Sequence, residues 1–242
     1  MNLANAFNEF WMTRISHFLS SMIVVAMISC SATPPKFLER HPKIEKLQVS
    51  MISMGGLGLL PNLRHFHGYA LDYLKLCTNR PPPVQCLEIN LHRLSEEEEL
   101  CLVNGLANTK TLTQLALTDY LKSTVSLVFL ASITKACPEL THFKCALGNE
   151  KSMDLIYSTI FRSLPNLEHL RLQFEYASDP DVEILYSSHL QGLASRHPLK
   201  TLQIDILIDS VEQTKWEFFY FMKDNNRIIP APKLDANRFD WF

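Results

Sequence analysis

Apolar residues recur along this chain in a three-position pattern, apolar-x-x-apolar-x-apolar. Ile44, Leu47 and Val49 fit it, as do Val84, Leu87 and Ile89, and Leu112, Leu115 and Leu117. Leu140, Phe143 and Cys145 follow, then Leu167, Leu170 and Leu172, then Leu199, Leu202 and Ile204. Leu63 and Phe66 fit the first two positions, with Gly68 at the third. Successive first anchors lie 19, 21, 28, 28, 27 and 32 residues apart. A unit that recurs at such a period is the mark of a stacked repeat architecture. The second half of each motif alternates apolar and polar, which predicts a short strand. Pro42, Pro61, Pro82, Pro138 and Pro165 stand two residues before a first anchor, and Pro83 and Pro198 stand one before. Proline there ends a helix and favours an extended entry into the strand.

The spacers between motifs predict helices. SEEEELCLVNGLA (95–107) opens with Ser95 as N-cap and Glu98 three residues on, a capping box. The acidic run Glu96 to Glu99 then faces the positive end of the helix dipole. Residues 124–136 and 152–164 carry apolar side chains at helical spacing. Asp179-Pro180 predicts a further start, with Asp as cap and Pro at the first helical position. Asp209 and Glu212 predict the start of a last helix running through WEFFYFM. Upstream, ISHFL reads as an earlier copy of the unit beginning at Ile15, and residues 1–11 as the helix of an incomplete repeat. The expected order is strand, helix, strand, helix throughout.

These residues resemble the leucine-rich-repeat family, whose unit is L-x-x-L-x-L plus a helix, over roughly residues 10–225. The stretches PPKFLERHPKIEKLQV and LPNLRHFHG resemble, more narrowly, the repeat regions of fungal F-box/leucine-rich-repeat proteins. The resemblance implies an α/β solenoid, curved, with parallel strands inside and helices outside, in about seven or eight irregular repeats. It also implies a substrate-recognition scaffold of the kind found in ubiquitin ligases. The family's usual Asn or Cys eight residues after the first anchor is absent. Ile52, Leu71, His92, Tyr120, Gly148, Glu175 and Leu207 stand there instead, so the turn ladder is expected to be irregular. No F-box is visible, so binding of the ubiquitin-ligase adaptor is not expected from this chain alone. The expected organisation is a solenoid over 1–225 and a tail over 226–242 that caps the last repeat or stays loose.

Composition narrows the function. The chain has 242 residues, 47% hydrophobic and 20% charged, with a net charge of −2. That is a globular balance without the basic excess that phosphate backbones require, so no nucleic acid is expected. Cys30, Cys77, Cys86, Cys101, Cys137 and Cys145 form no C-x-x-C pair and no zinc spacing. They read as reduced thiols of a cytoplasmic or nuclear protein. A secreted, disulfide-bonded repeat protein is the alternative, because HFLSSMIVVAMISCSA has the look of a signal-peptide core. That segment is too short to span a bilayer, so no membrane insertion is expected. No phosphate-binding, dinucleotide-binding, zinc-protease or nucleophile-elbow motif occurs, and only seven glycines are present. The expectation is therefore a non-enzymatic protein-interaction module without cofactor or metal. An enzyme with a site on the repeat loops is the remaining alternative.

The polar positions between anchors define the expected binding face. Residues two, four and six after each first anchor point away from the core. His65, His142 and His169 share the first of these columns with Cys86 and Gln114. The next column reads Gln48, His67, Glu88, Ala116, Lys144, Arg171 and Gln203. Tyr69 and Asp205 fall in the third. A protein partner with an acidic patch is expected to meet His142, Lys144, His169 and Arg171, with His67 and Tyr69 forming a second group. Arg and Tyr are residue types that often anchor interfaces.

Overall fold

The carbonyl that follows each first anchor accepts two backbone N–H groups from the next unit. Glu45 O accepts from Arg64 (2.7 Å) and His65 (2.9 Å), and Arg64 O accepts from Gln85 (2.8 Å) and Cys86 (3.0 Å). Gln85, Thr113, Thr141 and Glu168 repeat the arrangement, each toward the following unit. Lys200 O then accepts from Lys223 N at 3.0 Å. This ladder joins the units through backbone alone, which is why no particular side chain is needed at the step. Thr113 and Thr141 reinforce it by donating their hydroxyls to Gln85 O and Thr113 O.

The computed structural model describes residues 23–26, 42–49, 60–78, 80–92, 94–118, 125–147, 153–176, 187–209 and 214–231. Among the described residues, ten strands form one open sheet in chain order. They are β1 (Ile23–Ala26), β2 (Lys46–Val49), β3 (His65–Tyr69), β4 (Cys86–Asn90) and β5 (Gln114–Thr118). The rest are β6 (His142–Leu147), β7 (His169–Tyr176), β8 (Thr201–Asp209), β9 (Thr214–Asp224) and β10 (Arg227–Pro230). The helices are α1 (Ala70–Cys77), α2 (Glu96–Asn108), α3 (Leu127–Ala136), α4 (Met153–Ser163) and α5 (Ser188–Ser195). Strands β1 to β8 pair in parallel. The fold is α/β, with a mostly parallel sheet alternating with helices in a solenoid-like layout.

Every apolar anchor from Ile44 to Ile204 is buried, none more than 3% exposed. Register partners are equivalent positions: Leu87 faces Leu115, Leu115 faces Phe143, Phe143 faces Leu170, and Leu170 faces Leu202. The buried apolar side chains make one cluster from Ile44 to Ile228, shared with helix residues such as Leu102, Leu130 and Ile156. Gly68 replaces the third anchor of its unit for a packing reason. A Cβ there would lie 3.0 Å from the ring of Phe66 and 3.3 Å from Val49 Cβ. The large Phe66 ring fills the space that an anchor would take.

Helix starts follow local chemistry. Ser95 and Glu98 form the expected capping box: Glu98 N donates to Ser95 Oγ (3.3 Å) and Ser95 N to Glu98 Oε2 (2.8 Å). Ser126 Oγ accepts from Phe129 N at the start of α3, and Ser187 Oγ from Leu190 N at the start of α5, each without the reciprocal bond. The start expected at Asp179-Pro180 lies outside the described residues, as do ISHFL and residues 1–11. The strand that pairs with β2 is Ile23–Ala26, within the signal-like stretch, and its register sets Val24 opposite Leu47.

The chain departs from the expected alternation at its end. WEFFYFM is not a helix but the centre of β9, antiparallel to β8 from Asp209↔Thr214 to Thr201↔Met222. A tight turn at Asn225-Asn226 then leads into β10, also antiparallel. Both asparagines have positive φ (45° and 64°), the conformation of a two-residue hairpin turn that suits strand twist. Aromatic residues favour a half-buried strand, and the free edge of β8 supplies the partner. Arg227–Pro230, expected in the tail, are thus part of the sheet; residues beyond 231 are not described.

Candidate binding face

Parallel register turns the polar columns into rows across the sheet. The first runs Lys46, His65, Cys86, Gln114, His142, His169, Thr201 and ends on Met222. The second runs Gln48, His67, Glu88, Ala116, Lys144, Arg171, Gln203 and Tyr220. The third includes Tyr69, Asn90 and Thr118, and at the other end Ala146, Gln173, Asp205 and Phe218. Trp216 stands opposite Leu207 one step further on. All lie on the face turned away from the anchors.

His142 and His169 are brought together as expected. Their rings stack with centroids 4.4 Å apart. Thr141 Oγ1 donates its only proton to Thr113 O, so His142 Nδ1–H donates to Thr141 Oγ1 at 2.9 Å. His169 Nδ1 lies 2.7 Å from Thr201 Oγ1. Burial lowers the pKa of His142 to about 4, aided by the neighbouring charges of His169 and Lys200 against the pull of Glu168. His169 is lowered by burial first and Lys200 second, again against Glu168. Both imidazoles are neutral at pH 7. Glu168 bonds Lys200 at 2.7 Å at the edge of this pair.

Lys144 and Arg171 are also register neighbours, but the structure does not leave them as a bare basic patch. Arg171 Nε donates to Asp205 Oδ2 at 2.7 Å, and that carboxylate is fully buried. Gln173 Nε2 donates to the same oxygen (3.1 Å) and Gln203 Nε2 to Oδ1 (2.5 Å). On the other side, His67 Nδ1 lies 2.9 Å from Glu88 Oε2. Burial pushes the Glu88 carboxyl up. The hydrogen bond and charge of His67, with the charges of Lys144 and Arg171, outweigh it and hold Glu88 below its ordinary value. Lys144 and Arg171 of the central row are therefore balanced by Glu88 of the same row and Asp205 of the next. His67 and Tyr69 belong to a separate group on β3, with β4 and β5 between them and His142.

The sequence reading missed the aromatic end of this face. Trp216 and Phe218 are 48% and 42% exposed and stack at 6.3 Å. Ile229, opposite Met222 and therefore on the same face, is 42% exposed. Period-two spacing of Trp216, Phe218, Tyr220 and Met222 carried the signal, but the same run also satisfies a helix. Asp205 was visible only as a column member; its pairing with Arg171 spans 34 residues of chain.

Burial disfavours the thiolate of Cys77, Cys86, Cys137 and Cys145. Cys77, Cys86, Cys101, Cys137 and Cys145 are free thiols. Burial raises Cys86 to about 11 and Cys137 to about 12, and raises Cys145 further. Among the described residues no group of three or more His, Cys, Asp or Glu is placed to hold a metal ion, and no helix is long and apolar enough to cross a membrane. No family model matches the chain, and no curated protein matches it.

Proposed function

We propose that this chain is a leucine-rich-repeat solenoid, curved with its strands inside, that works as a non-enzymatic protein-interaction module. The repeated register and the carbonyl ladder support the repeat reading, because equivalent residues of successive units meet each other. A stack of this kind offers a broad surface made of side chains from many units. The observation that carries the binding reading is the exposed Trp216–Phe218 pair beside the Arg171–Asp205 network. Large aromatic groups next to satisfied polar groups are the composition of interface anchors. His142, Lys144, His169 and Arg171 form the polar part of the proposed contact, and His67 and Tyr69 its distal part. Lys144 supplies the charge for an acidic partner, while Arg171 acts within the face by holding Asp205.

The F-box resemblance extends the proposal to substrate recognition in protein degradation, without adaptor binding by this chain alone. The free thiols are in keeping with a cytoplasmic or nuclear location. The test is affinity purification with wild-type chain and with Trp216→Ala/Phe218→Ala, Lys144→Glu and Val128→Ser. Val128 is exposed on α3, away from the polar face. A partner lost by the first two variants and kept by the third supports the proposal. A partner equally retained by all moves the contact off this face.

A further inference from the structure

The helix side of the stack carries an apolar row that the sheet does not bury. Leu100 on α2, Val128 on α3 and Leu155 on α4 are 63%, 78% and 50% exposed. Each stands twelve residues before the next first anchor, Leu112, Leu140 and Leu167 in turn. They therefore occupy one step of three helices that pack side by side. The row stops at α1 and α5, where the same step is the buried Asp72 and the N-cap Ser187. Leu71 of α1 is exposed one residue out of step. Single exposed aliphatic residues are ordinary, but three in register on neighbouring helices form a patch, and patches mark contacts.

What surrounds the row points to a second copy of this chain. One turn later on the same helix faces stand Asn104, Ser132 and Thr159. The Ser132 and Thr159 hydroxyls donate within their own helices, to Val128 O (3.0 Å) and Leu155 O (2.8 Å). An apolar side chain can therefore cover them without stranding a donor. Charge is split between the flanks. Glu96 and Glu97 stand one turn before Leu100, and Arg162 stands two turns after Leu155. All three are exposed, and among the described residues none is in an ion pair. A two-fold axis through α3, between Val128 and Ser132, lays α2 antiparallel on α4 of the second copy. It sets Val128 opposite Ser132, Leu100 opposite Thr159 and Leu155 opposite Asn104, large against small. Glu97 and Arg162 stand fifteen and five residues before the next first anchor, and the axis stands at ten, so they too fall opposite each other. The pattern is self-complementary, as an isologous contact requires.

We propose that two copies of this chain pair through their helix faces about a two-fold axis at α3. The apolar row of each copy seats on the small polar row of the other, and a Glu97–Arg162 pair closes each flank. This contact lies on the side opposite the polar face and does not rest on the partner reading. A contact three helices wide is small, so the association is weak. The full chain is weighed in solution from about 5 μM to about 1 mM, a span that covers weak contacts. Mass should climb with concentration from one chain towards two. Val128→Lys puts a charge beside the axis and should hold the mass at one chain throughout. Glu97→Arg and Arg162→Glu each set like charges opposite one another on both flanks, and each should weaken self-association about tenfold or more. Mixing those two variants should restore association, because each flank again joins opposite charges. Trp216→Ala/Phe218→Ala should associate as wild type does, which separates this contact from the partner face. Circular dichroism establishes that each variant folds, and should Val128→Lys not fold, the charge variants and their mixture decide. A wild-type chain that keeps the mass of one copy over the whole range overturns the proposal, as does mass that climbs beyond two. Association that survives Val128→Lys, or charge variants whose mixture stays as weak as its components, also overturns it.

Discussion

Arg171 and Asp205 face each other across β7 and β8, with Nε and Oδ2 2.7 Å apart and the carboxylate sealed from solvent. Two residues that a sequence reading places in neighbouring columns are one charge pair. The pairing sets the cost of changing either partner. Arg171→Ala leaves a buried carboxylate with only two amide donors, and a broken buried pair costs about 3–5 kcal/mol. Asp205→Ala leaves a guanidinium that still reaches water, so it should cost less. Urea unfolding of the two variants checks the order. Equal losses would mean that Asp205 is held mainly by Gln173 and Gln203. A test of binding by Arg171→Glu would therefore confuse binding with stability, and Lys144→Glu, which reverses a charge that helps hold Glu88 ionised, is read beside an unfolding curve.

The stacked histidines predict a pH dependence with a definite sign. Burial depresses His142 to about 4 and also lowers His169, whereas the unfolded imidazole titrates near about 6.5. Between those values the unfolded chain binds more protons, so stability falls as pH falls. The contribution is complete above about pH 6.5 and is lost progressively toward about 4. Unfolding free energies at intervals across that window should slope upward with pH. His142→Gln/His169→Gln should flatten the slope, and an unchanged slope would assign it to other groups.

Gly68 should resist substitution. Gly68→Ala puts a methyl group 3.0 Å from Phe66 Cζ, and such overpacking costs about 1–3 kcal/mol. Phe66→Leu in the same chain opens the space and should recover part of the loss. Thermal denaturation of the single and double variants gives the coupling directly.

Trp216 and Phe218 should matter for binding and little for folding. Both are substantially exposed, so Trp216→Ala/Phe218→Ala should leave the melting temperature nearly unchanged. Loss of an aromatic anchor at an interface typically costs about 2 kcal/mol or more. Calorimetric titration with a purified partner measures it. Full affinity in that variant would place the contact at the His67 and Tyr69 end.

Much of the fold was legible before any coordinates. Strand alternation and the prolines before it are local, so anchors such as Leu115, Leu170 and Leu202 are buried as their spacing implies. The Ser95 capping box is equally local and appears as written. The candidate site was legible only as columns. Which column members attract, stack or cancel depends on side-chain reach across strands, and that is not encoded in spacing.

The sequence by itself determined the repeating strand–helix unit, the face each anchor buries and the first turn of α2, because these follow from residues a few positions apart. Tertiary structure decided the rest. WEFFYFM satisfies both a helical and a strand pattern, and the nine residue pairs offered by the unoccupied edge of β8 select the strand. The pairing of β1 with β2 likewise sets Val24 opposite Leu47, a register that the pattern around Ile15 does not contain. Arg171 meets Asp205, and Gln191 meets Ile228, only after strands and helices from distant units are stacked. Local pattern fixes what a segment can be, and the partner beside it fixes what it becomes.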